Sequence, residues 1–338
     1  MKIAVSKMLL LFLSIFTLIT NLAFAQERRA EQEDKLLKGA ELKKPLVRPP
    51  QYKLSMRADI FTGYDSNPSL DNTRKGDIFE ETRLFLDFRK TVLKDLTLSF
   101  DYYLDSLMYN QASDSSSILN NVRLGIHKRF LPFRAGGGYN LSFAYYPRNE
   151  DGDFLFHKWF TYLGHDVMKK LYHQLQFEGG VKDYVYKKAL LDTILLYQDN
   201  QRRDKRLSAE YLIGFMPDKR LLIKLRSKYS LNDSNAVYLD FYDYYSLQET
   251  VNFDYRLFEN VSLITDFSYT RTNYDSRIVT EGDSEQEDDL YVAGAGLIYR
   301  LDINSALSLY YTYRDNASND SLAEYCEHVI TCGWQHKF

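Results

Sequence analysis

The chain ends in the segment Cys326-Glu-His-Val-Ile-Thr-Cys-Gly-Trp-Gln-His-Lys-Phe338, whose alternating side chains are the clearest indication of the fold. Counted back from Phe338 in steps of two, one face carries aromatic, imidazole, thiol and aliphatic side chains, and the other carries Lys337, Gln335 and smaller residues. Successive side chains of a β-strand point to opposite faces, so this alternation predicts an amphipathic strand. The last strand of a closed barrel pairs with the first, which removes the exposed edge that a free strand leaves. The segment therefore favours a closed β-barrel.

The same residues resemble the C-terminal signal of bacterial outer-membrane β-barrels, which ends in phenylalanine after alternating apolar residues. His336 departs from that pattern, because the signal normally has an apolar or aromatic residue at this position. The resemblance implies that Trp334 and Phe338 are part of a barrel-assembly signal. It also implies three partners, which are the outer-membrane barrel assembly machinery, outer-membrane lipid and lipopolysaccharide.

The first 25 residues have the features of a secretory signal peptide. Lys2 and Lys7 precede an apolar run at residues 8–19, and Ala23-Phe24-Ala25 has the A-x-A form of a cleavage site. The run is shorter than the ~20 residues that a membrane-spanning helix needs. We therefore expect residues 1–25 to be removed on export beyond the inner membrane.

Residues 26–51 differ in composition from the rest of the chain. The stretch up to Lys44 is highly charged and compatible with a helix, and Pro45, Pro49 and Pro50 then interrupt it. We predict a short N-terminal periplasmic extension, which either stays outside the barrel or enters its lumen as a small plug. Residues 52–338 are then the outer-membrane barrel.

The composition is rich in aromatic residues, although long apolar runs are lacking after the signal peptide. The chain has 28 Tyr, 21 Phe and 2 Trp, and its mean hydropathy is -0.41. No second apolar run approaches the length of a spanning helix, which excludes a helical membrane protein. A transmembrane barrel explains both features, because only alternate residues face lipid and aromatic girdles mark the two interfaces. The formal net charge of -3 argues against nucleic-acid binding, which requires a basic surface.

Period-two alternation recurs from residue 53 to the end of the chain. It predicts an all-β fold, a transmembrane antiparallel up-and-down β-barrel of about 14 strands, although counts of about twelve and about sixteen also fit. Short turns alternate with long polar loops, as in outer-membrane barrels, which places both termini in the periplasm. The predicted strands are 53–65, 79–91, 95–108, 118–130, 133–146, 155–167, 171–186, 202–215, 220–231, 243–257, 260–273, 288–301, 305–316 and 326–338.

The polar face of each strand is predicted to line the interior of the barrel. In the third strand Leu98 and Phe100 lie on one face, and Ser99 and Asp101 lie on the other. A charge that faces lipid costs roughly 2–4 kcal/mol at the midplane for Arg or Lys, so the charged face must point inward. The sixth and twelfth strands are not assigned by this test. The predicted lumen-lining residues are Arg57, Asp59, Arg83, Asp87, Asp101, Arg123, Arg206, Lys224, Arg226, Lys228, Asp254, Arg256 and Asp266.

Two interpretations of this charged interior are open. It is either the wall of an aqueous conduit, in which charged rings tune selectivity, or a network of opposite charges that closes the lumen. Both are compatible with this strand number, because eight-stranded barrels are filled by side chains and much larger barrels leave a channel. Four inward cations with only Glu210 nearby would favour anionic solutes, unless acids across the barrel pair with them. These cations are Arg206, Lys224, Arg226 and Lys228.

The segment Gly63-Tyr-Asp-Ser-Asn-Pro68 resembles an element that follows an early strand in a loose group of outer-membrane barrels. The group includes porins of exopolysaccharide-type loci and the barrel domain of surface lipoprotein assembly modifiers. Those modifiers have a helical-repeat domain before the barrel, for which residues 26–50 are too short. The resemblance implies a porin-like function, either passage of a polar or anionic solute or a part in exopolysaccharide export.

No residue pattern predicts a catalytic centre, a metal site or a cofactor. The six histidines lie outside any recognisable hydrolase motif, and no G-x-S-x-G occurs. Cys326 and Cys332 would be about 20 Å apart on an extended strand, so a disulfide requires the chain near Cys326 to fold back. We therefore predict a porin-like barrel rather than an enzyme. The alternatives are a structural or surface-interaction barrel with a closed lumen and, after it, an interfacial outer-membrane enzyme.

Overall fold

The computed structural model describes residues 52–70, 75–190, 197–236, 241–280 and 282–338. The predicted signal peptide and N-terminal extension therefore lie outside the described residues. Among the residues that are described, no helix is both long enough and apolar enough to cross a membrane.

Fourteen strands and two short 3-10 turns, at Ser113–Ser115 and Glu150–Gly152, make up the regular structure of the described residues. Most strands follow the apolar–polar alternation of the sequence, which suits a wall with lipid on one side and polar groups on the other. The strands are β1 (Tyr52–Asp65), β2 (Asp77–Leu93), β3 (Leu96–Tyr109), β4 (Ser117–Phe130), β5 (Phe133–Tyr145), β6 (Phe154–Met168), β7 (Leu171–Leu190), β8 (Tyr197–Phe215), β9 (Leu221–Ser234), β10 (Tyr244–Arg256), β11 (Val261–Ile278), β12 (Glu285–Arg300), β13 (Ser305–Ser318) and β14 (Tyr325–Lys337).

Each strand pairs antiparallel with its neighbours in sequence, and β1 also pairs with β14, so the sheet closes into an up-and-down barrel. The closing register runs from Arg57 opposite Lys337 to Asp65 opposite Val329. Closure leaves no unpaired backbone edge in the wall, which is the condition for a sheet to cross a bilayer. The predicted fold class and the preferred strand number are therefore confirmed.

The hairpin of β7 and β8 is longer than predicted. The sequence prediction ends these strands at residues 186 and 202, whereas they continue as Leu171–Leu190 and Tyr197–Phe215. The added residues are mostly polar, so their side chains do not alternate, yet the backbone ladder still pairs Lys188 with Gln201. Backbone pairing beyond the apolar band does not depend on apolar side chains, which explains why the pattern missed it.

The outer face of the barrel carries a band of exposed apolar side chains. Ile60, Leu124 and Leu309 are 53%, 49% and 54% exposed, and aromatic residues such as Tyr245 and Trp334 lie towards the two ends. An apolar surface that surrounds the whole wall is unfavourable in water and is what lipid requires. The chain therefore has the fold of an integral outer-membrane barrel.

The connections differ in length at the two ends of the barrel. At one end, here called the turn end, β2 and β3 are joined by residues 94–95, and β12 and β13 by residues 301–304. Asp95 adopts a left-handed φ of 61°, a conformation that Asp tolerates well, and so allows a tight turn. At the opposite loop end the connections are longer, including residues 235–243 between β9 and β10.

Candidate functional site: the charged inner wall

Strand register separates the inner face of the barrel wall from its outer face. Positions that alternate with the exposed apolar band form the inner face, where Arg83 lies opposite Asp105 and Asp101 opposite Arg123. The register puts every predicted lumen-lining residue on this face. Whether these residues line a conducting path stays a prediction.

Arginine and acidic residues are closely paired on the inner faces of β1, β2 and β3, which we call the paired wall. Each described arginine of this wall contacts at least one carboxylate, and Arg83 and Arg89 each bridge two acids. Such pairs tie neighbouring strands and neighbouring rows together, and five acids pair with three arginines, so the positive charge of this wall is neutralised. The ion pairs are Arg57–Asp59 at 3.1 Å, Arg83–Glu81 at 2.6 Å, Arg83–Asp105 at 3.7 Å, Arg89–Asp87 at 2.6 Å and Arg89–Asp101 at 2.8 Å.

Aromatic rings hold the same arginines in place. The Arg57 guanidinium lies 4.0 Å from the centre of the Phe85 ring, and the Arg83 guanidinium lies 4.9 Å from that of Phe61. A cation over a ring face is attracted by the ring quadrupole, and the planar guanidinium stacks well there. On the next strand Arg123 lies 3.9 Å from the ring centre of Phe160. These contacts keep the arginines against the wall.

Acidic residues are also held firmly on the inner faces of β1, β11 and β14. Arg314 lies 2.9 Å from Glu327, whose side chain is 2% exposed, and the Tyr109 hydroxyl donates to Asp65 at 2.7 Å. Asp266 on β11 accepts a hydrogen bond from a tyrosine hydroxyl of β13. A buried carboxylate is stable only when such partners replace its hydration. Asp254 and Arg256 lie nearer the turn end and are exposed.

Cations outnumber acids on the inner faces of β6, β7, β8 and β9, which we call the cationic wall. The predicted patch lies here, together with further cations that the sequence prediction did not include. Its cations are Lys158, Lys182, Arg202, Arg206, Lys224, Arg226 and Lys228, and its acids are Asp166, Glu178, Asp204 and Glu210.

The acids of the cationic wall contact only part of its positive charge. Arg226 lies 3.3 Å from Glu210, as the sequence suggested, and Lys228 lies 3.4 Å from Glu178. Among the described residues, Lys224 has no carboxylate within ion-pair distance. The acidic partners of the patch therefore lie on the same strand or within two strands, rather than across the barrel.

Sequence reasoning missed Glu178 and Asp204, for different reasons. Glu178 ends the alternating stretch Gln174-Leu-Gln-Phe-Glu178, so the test applied to other strands would have found it. Asp204 lies in Gln201-Arg-Arg-Asp-Lys-Arg206, where almost every position is charged and alternation identifies neither face. The Asp204 side chain is fully buried and accepts two hydrogen bonds from Arg202, at 2.8 and 2.7 Å.

Several inner-face cations are accessible to water although they point into the barrel. The side chains of Arg57, Arg226 and Arg314 are 44%, 41% and 42% exposed. A cavity of about 440 Å³ lies beside the paired wall and is lined by Phe61, Glu81 and Glu327 among others. The described side chains therefore do not fill the interior to the density of a protein core.

One pair of inner-face residues resembles part of a hydrolase centre. Ser99 Oγ lies 2.9 Å from His127 Nε2, and His127 Nδ1 lies 2.8 Å from the Tyr162 hydroxyl. A Ser–His nucleophile is normally completed by a carboxylate that orients the imidazole, and a tyrosine occupies that position here. Among the described residues, no three His, Cys, Asp or Glu side chains are arranged to hold a metal ion.

The residues of the predicted assembly signal lie on the outer face at the turn end. His336 stacks on Trp334 with ring centres 5.4 Å apart and meets Phe338 edge-on at 4.7 Å. The His336 imidazole thus continues the row of aromatic rings, which explains how β14 accommodates a histidine where the C-terminal signal normally has an apolar or aromatic residue. The Phe338 N–H donates to the Met56 carbonyl oxygen at 3.0 Å, next to the closing pair of strands. Cys326 and Cys332 are not joined by a disulfide.

Comparison with known proteins supports the fold. Residues 244–338, which include β10 to β14, match a family model described as "Putative beta-barrel porin 2". This match covers less than a third of the chain. No curated protein matches the sequence.

Solved outer-membrane proteins share the barrel at very low sequence identity. The outer membrane channel DcaP of Acinetobacter baumannii is 9% identical with a TM-score of 0.53, over 85% of this chain and 97% of that chain. Outer-membrane expressed OmpT of Vibrio cholerae is 11% identical with a TM-score of 0.51, over 86% and 99% of the two chains. An anion-selective porin from Comamonas acidovorans is 9% identical with a TM-score of 0.50, over 85% and 99%. At these identities the likeness establishes the fold alone.

Proposed function

We propose that this protein is a porin-like outer-membrane barrel whose water-accessible lumen passes polar solutes and favours anions. The observation that carries the proposal is the cationic wall, where cations outnumber acids and Lys224 has no acidic partner among the described residues. A charged wall with low-dielectric surroundings concentrates solutes of opposite sign. Charged side chains that line a pore are a general source of ion preference.

Water access to the inner face supports a conduit. Arg226 is 41% exposed while its own ion pair with Glu210 is in place, so pairing does not bury the cation. A barrel closed by side chains would bury such groups, as eight-stranded barrels do. The charge of this chain's own wall supports anion preference. The anion-selective porin from Comamonas acidovorans supports only the shared fold and not the ion preference of this chain.

The proposal includes an orientation and a set of partners. The short connections and both ends of the described barrel would face the periplasm, with the longer loops outside. The outer apolar band would contact outer-membrane lipid, and the loop end would lie among lipopolysaccharide. Trp334 and Phe338 would contact the barrel assembly machinery during insertion.

The paired wall favours a second candidate function, a structural or surface-interaction barrel with a closed lumen. Its ion pairs join β2 to β3, its arginine–aromatic contacts join β1 to β2, and together they would hold that side of the barrel rigid. This candidate requires the predicted N-terminal extension, or other parts of the chain, to block the space that the described side chains leave. Neither candidate includes a catalytic step. In the described part of the chain, the Tyr162 hydroxyl rather than a carboxylate contacts His127 Nδ1.

Planar-bilayer recording of the refolded full-length mature protein tests the proposal. We expect discrete conductance steps and, in a KCl gradient, a reversal potential on the anion-selective side. A second preparation without residues 26–50 determines whether this segment restricts the current. Absence of discrete conductance from both preparations would reject the conduit and favour the closed barrel. The same detergent without protein is the control.

The choice between general solute passage and exopolysaccharide export needs a separate observation. Glycosyltransferase genes next to the gene for this chain would favour export of a saccharide. A deletion strain that retains surface polysaccharide but loses uptake of small anions would favour passage of small solutes.

A further inference from the structure

A small cavity lies in the cationic wall between β6 and β10. Its volume is about 170 Å³, and charged groups, hydroxyl groups and two aromatic residues surround it. The side chains that matter for its chemistry are Phe156, Lys158, Glu178, Arg206, Lys228 and Tyr244.

The cavity exists because Gly180 has no side chain. The register puts Gly180 between Lys158 on β6 and Arg206 on β8, so the inner-face position between the two cations has no side chain. A Cβ at Gly180 would collide with the His157 carbonyl oxygen and come within 2.9 Å of the Phe156 ring. The backbone therefore approaches closely here, and the two cations flank an open recess.

One carboxylate positions two lysines at the recess. Glu178 lies 3.3 Å from the Lys158 ammonium and 3.4 Å from the Lys228 ammonium, one on each carboxylate oxygen. Gln176 donates to the same carboxylate at 2.9 Å. Glu178 can neutralise one of the two lysines, so the cluster keeps a positive charge while its geometry is held.

Arg206 adds a further cation whose nearest acid is already engaged. Asp204 is 3.8 Å from Arg206 but accepts two shorter hydrogen bonds from Arg202. The Arg206 Nε–H donates to the Asn232 side-chain oxygen at 2.9 Å, which fixes the guanidinium. Three cations thus surround the recess with one acid directly among them, and guanidinium groups bind oxyanions well.

Hydroxyl groups and an aromatic ring complete the lining. Ser208, Ser230 and Ser246 lie in one row across β8, β9 and β10, and Tyr244 lies in the row beside them. The Arg206 guanidinium lies 5.8 Å from the centre of the Phe156 ring. Hydroxyl groups can donate to and accept from a hydroxylated ligand, and an aromatic face can pack against its carbon skeleton.

We infer that this recess is a binding subsite for the oxyanion group of a small hydroxylated solute, such as the carboxylate or phosphate of an acidic sugar. The inference rests on the proposed function and names the class of solute that the conduit favours. Arg202 and Lys182 lie on the loop side of the recess, and Arg226 and Lys224 lie on the turn side. The subsite is therefore one step in a series of cations, and conduction needs sites that bind and release.

Binding by the refolded full-length mature barrel tests the subsite without requiring conduction. Isothermal titration with glucuronate and with glucose 6-phosphate should show binding, while neutral glucose should not bind detectably. The two acids distinguish a preference for carboxylate from one for phosphate. Both acids should also reduce the chloride current in planar bilayers, in the same order as their affinities.

Substitutions distinguish acid binding by the recess from attraction by the overall positive charge of the wall. Arg206→Gln and Lys228→Gln should each weaken acid binding about tenfold, the loss expected for one charge-assisted hydrogen bond. Lys205→Gln is the matched control, because it removes the same charge one residue away on the outer face and should change affinity less than twofold. Arg206→Lys keeps the charge and should retain most of the binding. Heat-modifiable gel mobility confirms that each variant is folded.

Three outcomes would decide between the subsite and the proposed function. If neither acid binds while the barrel conducts with anion preference, the subsite is rejected and the conduit is retained. If Lys224→Gln, outside the recess, weakens binding as much as Arg206→Gln does, the effect comes from the general field and the subsite is rejected. If the barrel does not conduct but binds an acid in an Arg206-dependent way, the subsite is supported and the conduit is rejected.

Discussion

The paired wall and the cationic wall use the same kinds of residue at the same alternating spacing, yet their charges are arranged differently. On the paired wall Arg83 lies between two acids, and its guanidinium also faces an aromatic ring. On the cationic wall Glu178 is shared by two lysines, and Lys224 has no acidic partner among the described residues. Inward charges therefore have two different effects. Charges in ion pairs connect neighbouring strands, and unpaired surplus charge creates an electrostatic field in the lumen.

The largest effect should follow from neutralising the surplus charge. Replacing Lys224, Arg226 and Lys228 together with Gln should abolish anion preference, since the acids of the opposite wall then dominate the field. The reversal potential in a tenfold KCl gradient should move towards the cation-selective side. The matched control replaces Arg57, Arg83 and Arg89 with Gln, which removes the same charge from the opposite wall. It should also move the reversal potential towards the cation-selective side, and it should lower stability because the acids lose their partners. An unchanged reversal potential in the first variant would reject the role of the cationic wall.

A large effect on stability should follow from removing a neutralising partner. Arg314→Met leaves Glu327 buried without its cation, which should cost about 1–3 kcal/mol of unfolding free energy. Lys224→Met removes a cation that has no acidic partner among the described residues and should change stability by no more than about 0.5 kcal/mol. Guanidinium-induced unfolding of both variants from lipid vesicles measures the difference. Equal costs would contradict the distinction between the two walls.

A smaller effect should appear at the seam that closes the paired wall against β14. Phe338→Ala removes an edge-on contact with His336, and aromatic pairs are worth roughly 0.5–1.5 kcal/mol. We expect slower insertion into vesicles by the purified assembly machinery, with little change in conductance once the barrel has inserted. Phe215→Ala, also at the turn end on the outer face of β8, is the control away from the seam. Equal slowing by the two substitutions would argue against a special role for Phe338.

The smallest effect should be on the pH dependence of stability, and it concerns Asp302 in the short turn between β12 and β13, outside the lumen. Backbone N–H groups of Asn304 and Ser305 donate to Asp302 at 2.6 and 2.7 Å and lower its pKa below the ordinary value of 3.8. A lowered carboxyl pKa stabilises the fold above pH 3.8, and the contribution is lost as the pH falls through the lowered pKa. Asp302→Asn keeps an acceptor without titrating. The decrease in the unfolding midpoint between pH 7 and pH 3 should therefore be slightly larger in the unsubstituted protein than in the variant. Equal decreases in the two proteins would show that Asp302 does not contribute to the pH dependence of stability.

Particular strands explain how far the sequence prediction reached. The faces of β3 follow from Leu98, Phe100 and Asp101, because in a membrane barrel only the apolar face can meet lipid. β8 was assigned in part, since its charged run from residue 201 to 206 has no alternation to read. The orientation of Arg206 was nevertheless inferred, whereas its neighbours Asp204 and Asn232 were not identified. The strand ends at residues 186 and 202 were wrong because backbone pairing continued where the side-chain pattern stopped.

The amino-acid pattern predicted the strands, their preferred number and the face on which most charges lie. It could do so because a β-strand has a side-chain period of two and lipid penalises charge on one face only. The tertiary structure was needed to show which charges meet, such as Glu178 with Lys158 and Lys228, and that Gly180 leaves a recess beside Arg206. Alternation reports the face of a residue but not its neighbours, because distances between strands depend on the pairing register of the whole closed sheet. That register separates a wall whose described arginines are all paired with acids from a wall that keeps surplus positive charge.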